Sequence, residues 1–134
     1  MQRCLAHLGA PLLGTIALIL MAGCRDERPP LAPRAVASDL AGADLQRGKQ
    51  LIGDYGCVAC HTVPGVKGST STVGPPLAHV GLRGYLGGVL PNTPGNLVRW
   101  LLDPPAIDPR TAMPNVGLTT DEAQDIAAYL LTLH

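Results

Sequence analysis

The chain has 134 residues, ten acidic and ten basic, and a formal net charge of zero. It offers no field of one sign to draw in a nucleic acid or an anionic surface, so neither is an expected electrostatic partner. Aromatic residues make up only 3% of the chain, with no phenylalanine, so a domain of about 90 residues would struggle to fill a core with its own side chains.

The first segment carries Arg3 and then an apolar run over 12–22 that includes Gly14, the pattern of an export signal. The run is shorter than the ~20 residues a spanning helix requires. It closes on Leu20-Met21-Ala22-Gly23-Cys24, which resembles a bacterial lipoprotein cleavage box. Small residues at Ala22 and Gly23 suit the peptidase, Met21 stands where leucine is commoner, and Cys24 becomes the lipid-modified first residue. The other readings are an ordinary signal peptide, or an uncleaved anchor starting near Leu5. The expected organisation is a leader over 1–23, a flexible linker over 24–43 and one folded domain over 44–134. The linker is rich in proline and alanine (Pro29, Pro30, Pro33, Ala35, Ala37) and would reach ~25 Å as a coil or ~60 Å in polyproline form. Localisation follows: exported and lipid-anchored to a bacterial membrane, facing the periplasm or the cell exterior.

A helix is expected over 44–55, with Leu45, Leu51 and Ile52 on one side and Gly48 leaving room for close approach. Gly56 would end it. Cys57-Val58-Ala59-Cys60-His61 follows at once. Two thiols two residues apart can each add across one vinyl group of a porphyrin, and the next histidine then lies beneath the iron. The same spacing also serves a thiol–disulfide couple or half of a zinc site. Zinc would need further ligands, and the other cysteines, Cys4 and Cys24, lie near the N-terminus. No run of β-branched strands surrounds the pair as a thioredoxin-like βαβ unit would require. Haem c, one group attached through Cys57 and Cys60, is the expected cofactor, with His61 as a metal ligand. It would also supply the apolar bulk that the composition lacks.

Beyond the motif come Gly74-Pro75-Pro76-Leu77, Arg83, and a turn region marked by Gly84, Gly87, Gly88, Pro91, Pro94 and Gly95. A second helix is expected over 94–102, with Leu97, Trp100 and Leu101 as its buried stripe, stopping before Pro104-Pro105. The proline-rich segment that follows is a stiff loop carrying Met113. The chain's other methionines, Met1 and Met21, lie in the N-terminal stretch, so Met113 is the expected second metal ligand. His79 and His134 are its rivals, and Lys49 or Lys67 would first have to lose a proton. The last helix, over 120–133, opens on a capping-box pattern from Thr119 to Glu122 and carries Ile126, Tyr129, Leu130 and Leu133 as its apolar face.

Taken together, these motifs resemble the class I cytochromes c, small monohaem proteins with His/Met ligation, over about 44–134. The resemblance implies an all-α fold of three main helices, with loops wrapped around one covalently bound haem c and no real sheet. It implies that the Pro75 carbonyl accepts the other N–H of His61, that Arg83 neutralises haem propionates, and that Thr111 can hydrogen-bond a propionate. Trp100, in Trp100-Leu101-Leu102-Asp103-Pro104, belongs to the helix and proline that precede the methionine loop and is also expected at the haem. The first and last helices are expected to cross with Gly48 beneath Tyr129. The stretch between Arg83 and Trp100 is shorter than in mitochondrial relatives, and Tyr85 is the further propionate partner considered there.

The implied function is one-electron transfer rather than catalysis, exchanging with a quinol-oxidising complex, a terminal oxidase or a periplasmic dehydrogenase. The lysine-rich ring of mitochondrial cytochromes is not reproduced. The competing classes are a ligand-binding or peroxidase-like haem protein with a displaceable Met113, and a haem-free thiol–disulfide enzyme.

Overall fold

The computed structural model describes residues 40–134. The expected leader, Cys24, and nearly all of the 24–43 linker lie outside the described residues. Helix α1, Leu45–Asp54, begins where Asp44 turns its carboxylate back to accept the Gln46 and Arg47 amides at 2.8 and 3.0 Å. It ends at Gly56, whose φ of 70° is a left-handed conformation that glycine adopts without a Cβ clash. A 3₁₀ turn, Cys57–Ala59, then carries the first cysteine directly off the helix end.

The chain loops out and returns, with Gly74 N–H bonded to the Cys60 carbonyl and Leu77 N–H to that of Thr62. A second 3₁₀ turn, Val80–Leu82, leads into two short antiparallel strands, β1 (Tyr85–Leu86) and β2 (Leu90–Pro91), with Leu86 opposite Leu90. This ribbon departs from the expectation of no sheet. It forms because Gly87 and Gly88 both take positive φ and Val89 N–H closes onto the Leu86 carbonyl, a turn that matches the twist of a hairpin. Two residues per strand leave the class all-α.

Helix α2, Pro94–Leu102, has Thr93 as its cap and Pro94 in its first turn, where a missing N–H costs nothing. One further turn, α3 (Pro104–Ile107), was not expected, because the double proline read only as a stop. Prolines at the first helical positions can start a turn that they could not have continued, and the Asp103 carboxylate caps it. Helix α4, Thr120–Leu131, shows the expected capping box in full, Thr119 and Glu122 each satisfying the other's amide. It stops two residues short of the expected end, with the Thr132 hydroxyl donating to the Tyr129 carbonyl.

Helix α4 packs against both α1 and α2. A Cβ built on Gly48 would lie 2.0 Å from the Asp125 carbonyl oxygen and 2.9 Å from the Ile126 nitrogen, so two backbones meet there. The expected partner, Tyr129, lies one turn further along α4. Its hydroxyl instead donates to the Pro64 carbonyl at 2.7 Å and pins the loop after the cysteine motif. Beside the crossing, the buried Asp125 accepts the Asp44 amide at 2.7 Å and the Arg47 guanidinium at 2.8 Å. A buried carboxylate is tolerable on those terms, with each of its oxygens partnered. Ile52, Val63, Leu97, Ala123, Ile126 and Leu130 form the centre of the core. No described helix is long and apolar enough to cross a membrane.

Candidate functional site

The core is not closed. A cavity of about 360 Å³ opens between the cysteine turn on one side and the methionine loop on the other. Cys57, Cys60 and His61 line it, as do Pro75, Arg83, Trp100, Thr111 and Met113, so all eight domain residues expected at the cofactor border one space. His79, His134, Lys49 and Lys67 are not among its lining residues. Arg83 carries the one permanent charge in the described wall, and Ile52, Leu86, Leu97, Leu101, Ile126 and Leu130 supply its apolar floor.

The 3₁₀ turn brings the motif to one wall, because the Cys60 and His61 amides both bond to the Cys57 carbonyl, at 3.2 and 2.9 Å. His61 Nδ1 lies 2.8 Å from the Pro75 carbonyl oxygen. A carbonyl can only accept, so Nδ1 carries the proton and Nε2 keeps a free lone pair suited to a metal. Gly74 allows this arrangement: a Cβ there would stand 2.5 Å from His61 Cε1 and 2.7 Å from Nδ1. Burial, reinforced by the neighbouring Cys60, pushes the Cys57 thiol above its ordinary value against the opposing pull of a backbone hydrogen bond.

On the opposite wall, Thr111 Oγ1 accepts the Met113 amide at 3.2 Å, shaping the backbone that presents the thioether. Arg83 donates a guanidinium N–H to the Pro76 carbonyl. Its backbone is held from behind by Asn92, whose amide NH₂ donates to the Val80 and Arg83 carbonyls at 2.7 and 2.9 Å. Serving two carbonyls fixes the orientation of that amide and leaves Asn92 Oδ1 buried without a partner. Gly87 fits the hairpin against the indole, since a Cβ there would come within 2.6 Å of Trp100.

Tyr55, which was not singled out in the sequence, also lines the cavity. Its hydroxyl donates to Glu122 Oε2 at 2.9 Å, and this hydrogen bond is the main reason the phenol is held above its ordinary value. Glu122 is held below its own, first by the Thr119 amide, then by the Thr119 hydroxyl and by Tyr55. Val73, 82% exposed, and Val116 stand at the cavity's mouth beside Tyr85, the further haem contact considered from the sequence; periodicity gave no sign of the two valines because they sit on loops.

An apolar slot with a metal-ready imidazole on one side, a thioether on the other and two thiols beside the imidazole fits a covalently attached haem. Residues 45–134 match the family model for cytochrome c. The chain belongs to the cytochrome c family. Membership implies an electron-transfer protein with covalently bound haem c. The domain is also similar to cytochrome c oxidase subunit 2 of Alkalihalophilus pseudofirmus, 28% identical over 88 residues. That match takes in 65% of this chain but spans only about a quarter (25%) of the oxidase subunit's length.

Proposed function

We propose that this cytochrome c is a one-electron carrier, exported and held at a bacterial membrane by lipid on Cys24, with haem c joined through Cys57 and Cys60 and ligated by His61 and Met113. The observation that carries this reading is that the His61 imidazole, its Nδ1 committed to Pro75, and the Met113 side chain border the same apolar cavity from separate loops. Haem c supplies an iron centre able to change by one electron. His61 offers Nε2 as a strong ligand, and the soft thioether of Met113 favours the reduced state, raising the potential.

The exposed apolar mouth at Val73, Tyr85 and Val116 would serve as the exchange port, giving weak and short-lived complexes. Tethering through Cys24 would compensate by raising the effective concentration near membrane partners. A quinol-oxidising complex or a dehydrogenase is the proposed donor, and a terminal oxidase the proposed acceptor. The likeness to an oxidase subunit supports the latter.

Carbon monoxide tests the ligation. The reduced wild type should bind it poorly, and Met113→Ala should keep covalent haem but bind it fast. His61→Ala should yield no stable holoprotein. Equal, rapid binding by wild type and Met113→Ala would refute the Met113 assignment and favour the ligand-binding alternative. Purification from native membranes would identify the accompanying complex.

A further inference from the structure

The methionine loop hangs from a short series of hydrogen-bonded turns, and one residue is the node. Asp108 N–H closes α3 onto the Pro104 carbonyl at 2.9 Å, and the Asp108 carbonyl accepts the Thr111 amide at 3.0 Å. Its carboxylate Oδ1 accepts both the backbone amide and the Nε–H of Arg110, each at 3.1 Å. Asp108, Pro109, Arg110 and Thr111 thus form a β-turn with the residues that stabilise it, aspartate first and proline second. Thr111 Oγ1 then accepts the Met113 amide, so the loop carries no slack between the end of α3 and the thioether. Pro104 is buried and Ile107 packs against the core, so the upstream end of the series is fixed to the body of the domain.

We infer that Asp108 is a positioning residue for Met113: its carboxylate locks the Asp108–Thr111 turn and thereby keeps the methionine in place against competing ligands. The inference rests on the Met113 ligation proposed above. The part that matters is the bond to the Arg110 amide, not the ion pair. The Arg110 side chain is 86% exposed against 16% for Asp108, and an ion pair with so solvated a partner contributes little. Loss of the amide bond would let the turn open and give Met113 freedom to leave.

Imidazole binding to the oxidised holoprotein, with the far-red sulfur-to-iron absorption band as a second readout, tests this. Asp108→Ala should bind imidazole about ten-fold more tightly than wild type, as expected for losing one hydrogen bond from the methionine-bound state. Asp108→Asn, whose amide oxygen still accepts from the Arg110 N–H, should stay near wild type. Asp108→Ser should fall between them, and Arg110→Ala should behave as wild type. A purely structural role would lower the denaturation midpoint without producing this order of imidazole affinities. Wild-type affinity in Asp108→Ala, or equal loosening in Asp108→Ala and Asp108→Asn, would overturn the inference while leaving Met113 as a ligand. A wild-type protein without the far-red band would overturn the ligation itself, and the inference with it.

Discussion

Replacing Gly48 by alanine adds one methyl group at the tightest point of the fold. That carbon would lie 2.0 Å from the Asp125 carbonyl oxygen, 2.4 Å from its carbon and 2.9 Å from the Ile126 nitrogen. All three are backbone atoms of α4, so no side chain can rotate away. Restoring an ordinary contact of about 3.4 Å means moving the helices apart by about 1.4 Å, where a gap of 0.5–1 Å already forfeits a quarter to a half of a dispersion contact. The same movement stretches the bonds from the Asp44 amide and the Arg47 guanidinium to Asp125. Overpacking costs ~1–3 kcal/mol, and a clash against backbone belongs at the upper end of that range. Alanine recovers ~1 kcal/mol over glycine in helix propensity, leaving a net loss of ~2 kcal/mol. With a slope of ~3 kcal/mol per molar, the guanidinium midpoint of the holoprotein should fall by about 0.7 M with no change in slope. A Gly48→Ala midpoint equal to or above wild type would show that propensity outweighs the contact and that the crossing is not closely packed.

Gly74→Ala should disturb the histidine rather than the whole fold: its Cβ would strike the His61 ring, weaken the Nδ1–Pro75 bond and move the reduction potential measured by redox titration. An unchanged potential would refute the role given to Gly74. Glu122 has a folded pKa held below its ordinary value of 4.5, so its stabilisation is present above that pH and is lost as the pH falls through the folded value. Denaturation midpoints should therefore drop on acidification, less steeply in Glu122→Gln. The remaining slope should come partly from Asp108, whose carboxyl the Arg110 backbone amide and side chain hold below its ordinary 3.8. Equal acid slopes in the wild type and Glu122→Gln would count against the capping box as an acid-sensitive element. Cys24→Ser should abolish acylation while leaving Cys57 and Cys60 free to take haem, as mass spectrometry of the mature N-terminus can verify. A wild-type N-terminus that is unmodified, or that begins elsewhere, would refute the lipid anchor.

Much of the site was legible before any coordinates, because its chemistry is local. The thiol–thiol–imidazole spacing is a matter of neighbouring residues, and a thioether can be sought by elimination when Met113 is the one methionine outside the N-terminal stretch. Helix ends were readable for the same reason. Gly56 and the Thr119–Glu122 pair act on amides and carbonyls within a turn of themselves, whereas the caps at Asp44 and Thr93 emerged only from the structure. Even the hairpin had its signal in Gly87-Gly88 between Leu86 and Val89, a pair read from the sequence only as turn.

The rest depended on which distant backbones meet. Gly48 announced a close approach, but only the packing of α1 on α4 decided that it rests on Asp125 and Ile126, with Tyr129 carried one turn further to bond Pro64. Likewise Tyr55 joins the cavity wall to the α4 cap through Glu122 across 67 residues of chain. Spacing in a sequence fixes what one stretch of backbone can do for itself. Contacts made by folding the chain back on itself depend on the whole packing arrangement, so tertiary structure alone could assign them.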